Sequence, residues 1–353
     1  MIALYKPYMP ELPELPSIIN SGSLAYGTYA RSFEEELKAY LFAPHVLAVN
    51  SFFSALYIAM MVFGISAGDE VIASPMACLS STQPLVARGL SVVWADVDAS
   101  LGTLCPESVR KTITRRTKAI LHNHFCGYPG HIDEINAIGR EYGIPVIDDA
   151  IEAFGSLYKG KKLGDTGSDA TVFSFNPVRF VNTIDGGAIV FNNKSHYEKA
   201  VLMRDCGIDR TRFRDNRQEI NPGCDIAVPG IAGTMSEVNG YIGICQMKAI
   251  VGILDAHRLQ ARKWDAYFKN SDAAVPIRRE GCRPNYWVYG ILTENKLALL
   301  DDFRSLGYQA SGVHINNSNY SVFGNSGISL PNAEKFDNTF LALPCGWWMD
   351  NKS

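Results

Sequence analysis

Two carboxylates and an arginine stand where this sequence can do chemistry. Asp149 closes the apolar run Pro145–Asp149, and Glu152 follows three residues on. Arg179 ends the segment Ser174-Phe175-Asn176-Pro177-Val178-Arg179, shortly before Asp185-Gly186-Gly187. A carboxyl group whose pKa is raised by burial can act as a general base, which makes Glu152 a candidate. Arginine stays protonated, and its planar guanidinium recognises carboxylates and phosphates with paired hydrogen bonds. Other reactive patterns are weaker. His122 and His124 share one strand face at i, i+2, with His131 nearby. A metal centre needs three or more converging ligands, so no metal is expected at these histidines. Gly186-Gly187 reads as a turn before a strand rather than a dinucleotide loop.

These residues sit in a chain of ordinary globular composition. Of 353 residues, 47% are hydrophobic and 20% charged, enough for a large core and two domains. The formal charge of −3 and pI of about 6.2 argue against nucleic acid or an anionic membrane as partner. No apolar run reaches the roughly 18 residues of a membrane span. The opening residues lack the charged-then-apolar pattern of a signal peptide, so a cytoplasmic location is expected. Eight cysteines, widely spaced and without a Cys-x-x-Cys pair, predict reduced thiols.

Short apolar runs alternate with helical patterns. Strands are predicted at Val46–Val49, Glu70–Ala73, Ser91–Ala95, Lys118–Leu121, Pro145–Asp149, Thr171–Phe175 and Gly187–Phe191, all buried on both faces. Helices are predicted at Ser54–Val62, Ser80–Arg88, Pro106–Thr114, Ile132–Tyr142 and Lys194–Asp205. The alternation implies a largely parallel sheet covered by helices. Residues 210–233 are polar and rich in Pro and Gly, which reads as a long ordered loop or a flap. Met235–Lys269 is helical in period, and a smaller α+β unit follows. The boundary is drawn between 1–235 and 236–353. The late run Leu341–Trp348 is apolar and aromatic, which suggests that it packs beneath another segment.

Several stretches together resemble one family. They are Gly22-Ser23-Leu24-Ala25-Tyr26-Gly27, Phe33-Glu34-Glu35-Glu36-Leu37, Gly68-Asp69-Glu70-Val71-Ile72 and Trp94-Ala95-Asp96-Val97-Asp98. Further along come His124-Phe125-Cys126-Gly127, Asp148-Asp149-Ala150, Tyr158–Asp165 and Pro344-Cys345-Gly346-Trp347-Trp348. In this order and spacing the chain resembles the DegT/StrS-type nucleotide-sugar aminotransferases. The resemblance implies the α/β fold type I of pyridoxal phosphate (PLP) transferases. That means a large domain with a mixed, mostly parallel seven-stranded sheet and a smaller C-terminal α+β domain. It also implies PLP as family cofactor, a nucleotide-sugar ligand and a homodimer with sites at the interface. Asp149 matches the carboxylate that faces the pyridinium nitrogen, and Ser174 a serine that reaches the phosphate.

Other positions depart from that pattern. Arg179 stands at the Schiff-base lysine, and a guanidinium cannot form the imine. Phe52-Phe53, just before Ser54, replace a small-then-hydroxyl pair at the phosphate turn. Cys78 stands where an aromatic often stacks on the ring, and Glu152 where Gln or His is usual. Ala232 falls near an expected asparagine. The departures predict a degenerate homologue with no covalently bound PLP, with Arg179 either paired to Asp149 in the old cavity or holding an anionic sugar or phosphate there. His314 and Asn182 are expected near the sugar nucleotide. Three readings follow: a degenerate homologue that pairs with itself or an active paralogue, a PLP-independent enzyme, or a transaminase in which the lysine is altered. A substitute lysine from Lys159, Lys161 or Lys162 is not expected.

Overall fold

The computed structural model describes residues 1–271, 273–324 and 327–350. Seven short strands form the main sheet: β1 (Val46–Val49), β2 (Glu70–Ala73), β3 (Ser91–Trp94), β4 (Thr117–Asn123), β5 (Val146–Asp149), β6 (Ala170–Ser174) and β7 (Gly187–Phe191). Their order is β1-β7-β6-β5-β4-β2-β3. The pairs β2–β3, β2–β4, β4–β5 and β5–β6 are parallel, while β7 runs antiparallel to both β1 and β6. Each predicted strand is present within a residue or two. The expectation of burial on both faces fails at β3. It is an edge strand with one neighbour, and Ser91 there is exposed.

Helices cover the sheet. Four of them matter for the site: α1 (Thr28–Leu41), α2 (Phe52–Val62), α3 (Leu79–Ala87) and α4 (Glu237–Phe268). α2 starts two residues before the predicted Ser54, because Ser51 caps it by accepting the Ser54 N–H at 3.1 Å. β7 begins with Gly187, where a Cβ would meet Phe173 O at 2.8 Å and Ser51 O at 2.9 Å. Only glycine lets β7 pass that close to the turn entering α2. α1 and α4 cross closely, with Gly240 against the Ala30 backbone and Gly243 against the Phe33 ring. The Glu237 carboxylate on α4 accepts the N–H groups of Tyr29 at 3.1 Å and Ala30 at 3.0 Å, satisfying the first turn of α1.

The largest apolar cluster spans both faces of the main sheet. A separate cluster, including Trp264, Phe268, Tyr289, Phe303 and Leu341, forms around a second sheet of β8 (Val275–Pro276), β9 (Tyr289–Leu292) and β10 (Phe340–Leu343). α4 runs through both: Ile250 and Leu254 belong to the first cluster, Ala261 and Trp264 to the second. Residues 210–233 form a loop tied by Asp209, Asp215 and Asn221 to their own neighbours. The late aromatic run does pack under another segment. Trp348 Nε1 donates to Ala3 O at 2.9 Å, and its ring meets Tyr5 edge-on at 5.5 Å. No helix among the described residues is long and apolar enough to cross a membrane.

Candidate active site

A cavity of about 590 Å³ opens where the end of β6 meets the start of α2. The turn into α2 supplies Ser51, Phe52 and Phe53, and the approach to α3 supplies Cys78 and Ser80. The end of β6 supplies Ser174, the segment after it Asn176 and Arg179, and the later part of the chain Trp287 and His314.

Arg179 is buried and its charge faces Glu152. Nη1 lies 3.5 Å from Glu152 Oε1, and the guanidinium sits 5.1 Å over the Trp287 ring. Nη2 approaches Cys78 Sγ at 4.0 Å. Glu152 in turn accepts the Cys126 N–H at 2.8 Å on Oε2 and bonds His314 Nε2 at 2.6 Å on Oε1. The expected Arg179–Asp149 pair is therefore absent, because Glu152 is the nearer anion and is fixed by these two bonds. Burial pushes the Glu152 carboxyl up, but His314, Arg179 and the Cys126 N–H together hold it below its usual range. This corrects the idea of Glu152 as a base of raised pKa. Among the described residues, Arg179 Nε and Nη1 have no hydrogen-bond partner.

Asp149 ends β5, fully buried. Its Oδ1 accepts the Ile151 N–H at 3.1 Å, while Oδ2 has no partner. Burial raises its pKa to about 6. Ser174 lines the cavity and accepts the Asn176 N–H at 3.4 Å. The two phenylalanines diverge: Phe52 is buried in the core, while Phe53 is half exposed and stacks on Tyr57 at 5.7 Å. Ser54 is turned inward, donating to Asn50 Oδ1 at 2.6 Å. Asn182 is a correction to the expected ligand set. It is buried, does not line the cavity, and its Oδ1 accepts the Ile184 N–H at 2.8 Å within a turn. Ala232 O accepts from Asn50 Nδ2 at 3.0 Å, beside the same turn.

Among the described residues, no lysine lines the cavity. Lys159 pairs with Asp133 at 2.5 Å and Lys161 with Asp165 at 3.7 Å, and Lys162 Nζ lies 3.4 Å from the centre of the Tyr40 ring. His131 bonds Asp98 at 2.9 Å, away from the other two histidines. These gather on Asp148 instead, with His122 Nδ1 at 3.1 Å and His124 Nε2 at 3.6 Å from the same oxygen. Ligand atoms of the three lie within 4.8 Å of one another. The Gly130 N–H donates to His124 Nδ1 at 3.1 Å, so the ring proton is on Nε2, facing Asp148. Asp148 Oδ2 also accepts from Ser168 at 2.7 Å. The group is thus a hydrogen-bonded brace between β4 and β5.

Sequence reading missed Trp287 and passed over one spacing. Gly64-Ile65-Ser66-Ala67-Gly68 has the form of a serine nucleophile motif. Here it follows a helix and leads into β2, and both the N–H and hydroxyl of Ser66 bond Asp69. That is the reverse of the strand-to-helix turn such a nucleophile needs.

The fit to PLP is split. The bare Asp149 Oδ2 suits a pyridinium N–H, and Ile151, whose N–H the other oxygen accepts, lines the cavity, although Asp149 itself does not. The anchor does not suit it. Among the described residues no lysine lines the cavity, while Arg179 does. At the turn into α2, where the resemblance would put the phosphate, the hydroxyls of Ser51 and Ser54 are engaged with their own neighbours. These residues do not fit a cofactor held covalently.

Known proteins place this geometry. The chain is 27% identical over 340 residues to the spore coat polysaccharide biosynthesis protein SpsC of Bacillus subtilis (strain 168), covering 92% of this chain and 87% of that one. It superposes on the sugar aminotransferase CalS13 from Micromonospora echinospora with TM-score 0.92 at 25% identity, covering 99% of this chain and 96% of the other. AtS13 from Actinomadura melliaura gives 0.91 at 28%, with 100% and 95% covered. The model of the DegT/DnrJ/EryC1/StrS aminotransferase family matches residues 10–353, and this chain belongs to that family, whose cofactor is PLP.

Proposed function

We propose that this chain is a sugar aminotransferase homologue without lysine-borne transaminase chemistry, binding a nucleotide sugar in a pathway that supplies polysaccharide synthesis. The observation that carries the reading is Arg179. It is buried, paired with Glu152 and covered by Trp287, in a cavity that no described lysine lines, and we assign it to the place of the family's lysine. The pathway rests on the resemblance to SpsC, named for spore coat polysaccharide biosynthesis. The test is treatment with excess PLP, then borohydride, then intact-mass measurement. No stoichiometric phosphopyridoxyl adduct is expected. A single adduct mapping to a lysine that enters the cavity overturns the reading.

We also propose a homodimer. Phe53 and Val178, half exposed at the cavity, and Ile184 nearby in sequence offer apolar surface for a second copy. Light scattering behind size-exclusion chromatography should give about twice the chain mass. A monomer mass at micromolar concentration would refute it, and a dimer only on mixing with an active paralogue would support the mixed form.

A further inference from the structure

We infer that the cavity is a proton-transfer site for a nucleoside-diphosphate keto sugar, with His314 as base, Glu152 orienting it, and Arg179 holding the oxygen on which charge develops. The inference rests on the reading above that no lysine-borne cofactor works in this cavity.

The geometry assigns the proton on His314. Glu152 is ionised, and its Oε1 lies 2.6 Å from Nε2, so Nε2 carries the hydrogen. The lone pair is left on Nδ1, which has no hydrogen-bond partner among the described residues, on a ring that lines the cavity. That ring is clamped. It lies parallel to Trp287 at 6.3 Å, with an interplanar angle of 1°, and meets Phe125 edge-on at 6.0 Å. A carboxylate behind a histidine fixes its tautomer and stabilises the imidazolium that forms when it takes a proton.

Arg179 supplies the second half. It is 7% exposed, yet Nε has no hydrogen-bond partner among the described residues, and Nη1 only faces Glu152 Oε1 at 3.5 Å. A buried donor left bare is costly and rare, and Nε calls for an oxygen that the described residues do not provide. Donors already in place where negative charge appears are the strongest device in such sites. One atom organises both groups: Glu152 Oε1 lies 2.6 Å from the histidine and 3.5 Å from the arginine. Ser80, Ser174 and Asn176 line the same space, and their polar side chains suit a polyhydroxyl ring. Asp185 adds a carboxylate on the wall.

The step balances without a co-reactant. The C–H bond next to the sugar carbonyl breaks and its proton goes to His314 Nδ1. The electron pair forms a C=C bond, and the carbonyl pair moves onto oxygen beside Arg179. Return of a proton from Nδ1 to the same face of the carbon restores the ketone with its configuration kept and its hydrogen exchanged with solvent.

The test is solvent exchange. The protein as isolated is incubated in D2O with UDP-4-keto-6-deoxyglucose, and separately with the dTDP form, and deuterium at C3 and C5 is followed by NMR. Exchange about 100-fold above the buffer blank is expected, the scale of positioned acid–base catalysis. His314→Ala should return it to the blank with the nucleotide-sugar Kd, from calorimetry, changed less than about threefold, and free imidazole should restore about a tenth of the rate. Glu152→Gln, at a positioning residue, should lower exchange roughly tenfold at unchanged Kd, with no rescue by imidazole. If His314→Ala fails to fold by circular dichroism, His314→Gln is measured instead. Binding of either keto sugar without exchange above the blank overturns this inference and leaves the previous one standing. So does exchange that survives loss of His314, and failure to bind either keto sugar overturns both. A borohydride-trapped PLP adduct on a cavity lysine overturns both as well.

Discussion

Asp149 is fully buried at the end of β5 with one oxygen bonded and the other bare, and this has a measurable consequence. Burial raises its pKa from about 3.8 to about 6, so the folded chain binds that proton more tightly than the unfolded chain. The group is protonated in both states below about pH 4 and ionised in both above about pH 6. Stability is therefore lost as pH rises through that window, by up to about 3 kcal/mol at 1.36 kcal/mol per unit. Asp149→Asn should match the parent protein at pH 4 and exceed it by up to about 3 kcal/mol at pH 8 in urea denaturation. An equal difference at both pH values would sink the assignment. At this scale the sequence showed Asp149, Glu152, Ser174 and Arg179 by position in a motif, but not which carboxylate Arg179 faces. That choice depends on Cys126 N–H and His314, which lie far apart in the chain and meet only at Glu152 Oε1 and Oε2.

Among the elements, the strands were the most legible, because a strand covered on both faces must be almost wholly apolar. α1 was not, and its charges explain why. Glu34 sits on its buried face, accepting from Arg204 at 2.5 Å and from the Ala48 N–H at 2.9 Å, so a carboxylate interrupts the apolar stripe that would announce the helix. Its partner α4 holds it by close approach. A Cβ at Gly240 would lie 2.5 Å from Ala30 N, a backbone atom that cannot move aside, whereas Gly252 on the same helix faces open space. Gly240→Ala is expected to destabilise by about 2 kcal/mol through overpacking, although alanine favours helix. Gly252→Ala should stabilise by about 0.5–1 kcal/mol, the ordinary propensity gain. Thermal unfolding of the two variants separates these; equal shifts of either sign would refute the close crossing.

For the whole molecule, the cavity wall is collected from the turn into α2 through to His314, so the site exists only when the later part of the chain is seated against the main sheet. The same seating is secured by the contact of Trp348 with Ala3 and Tyr5. Those groups are 345 positions apart, which makes this one of the least local contacts the chain can form. Closing so long a loop adds entropy to the barrier only slowly with length, but it must await nearly everything between. The contact is thus expected to form after the rate-limiting step of folding and to break early in unfolding. Trp348→Ala, truncating a buried aromatic at a loss of about 3 kcal/mol, should speed unfolding in urea about 100-fold and leave refolding within about threefold. Equal slowing of refolding would mean that the contact belongs to the nucleus. On the expected outcome, this clasp governs how long the protein persists once folded, and has little say in how fast it gets there.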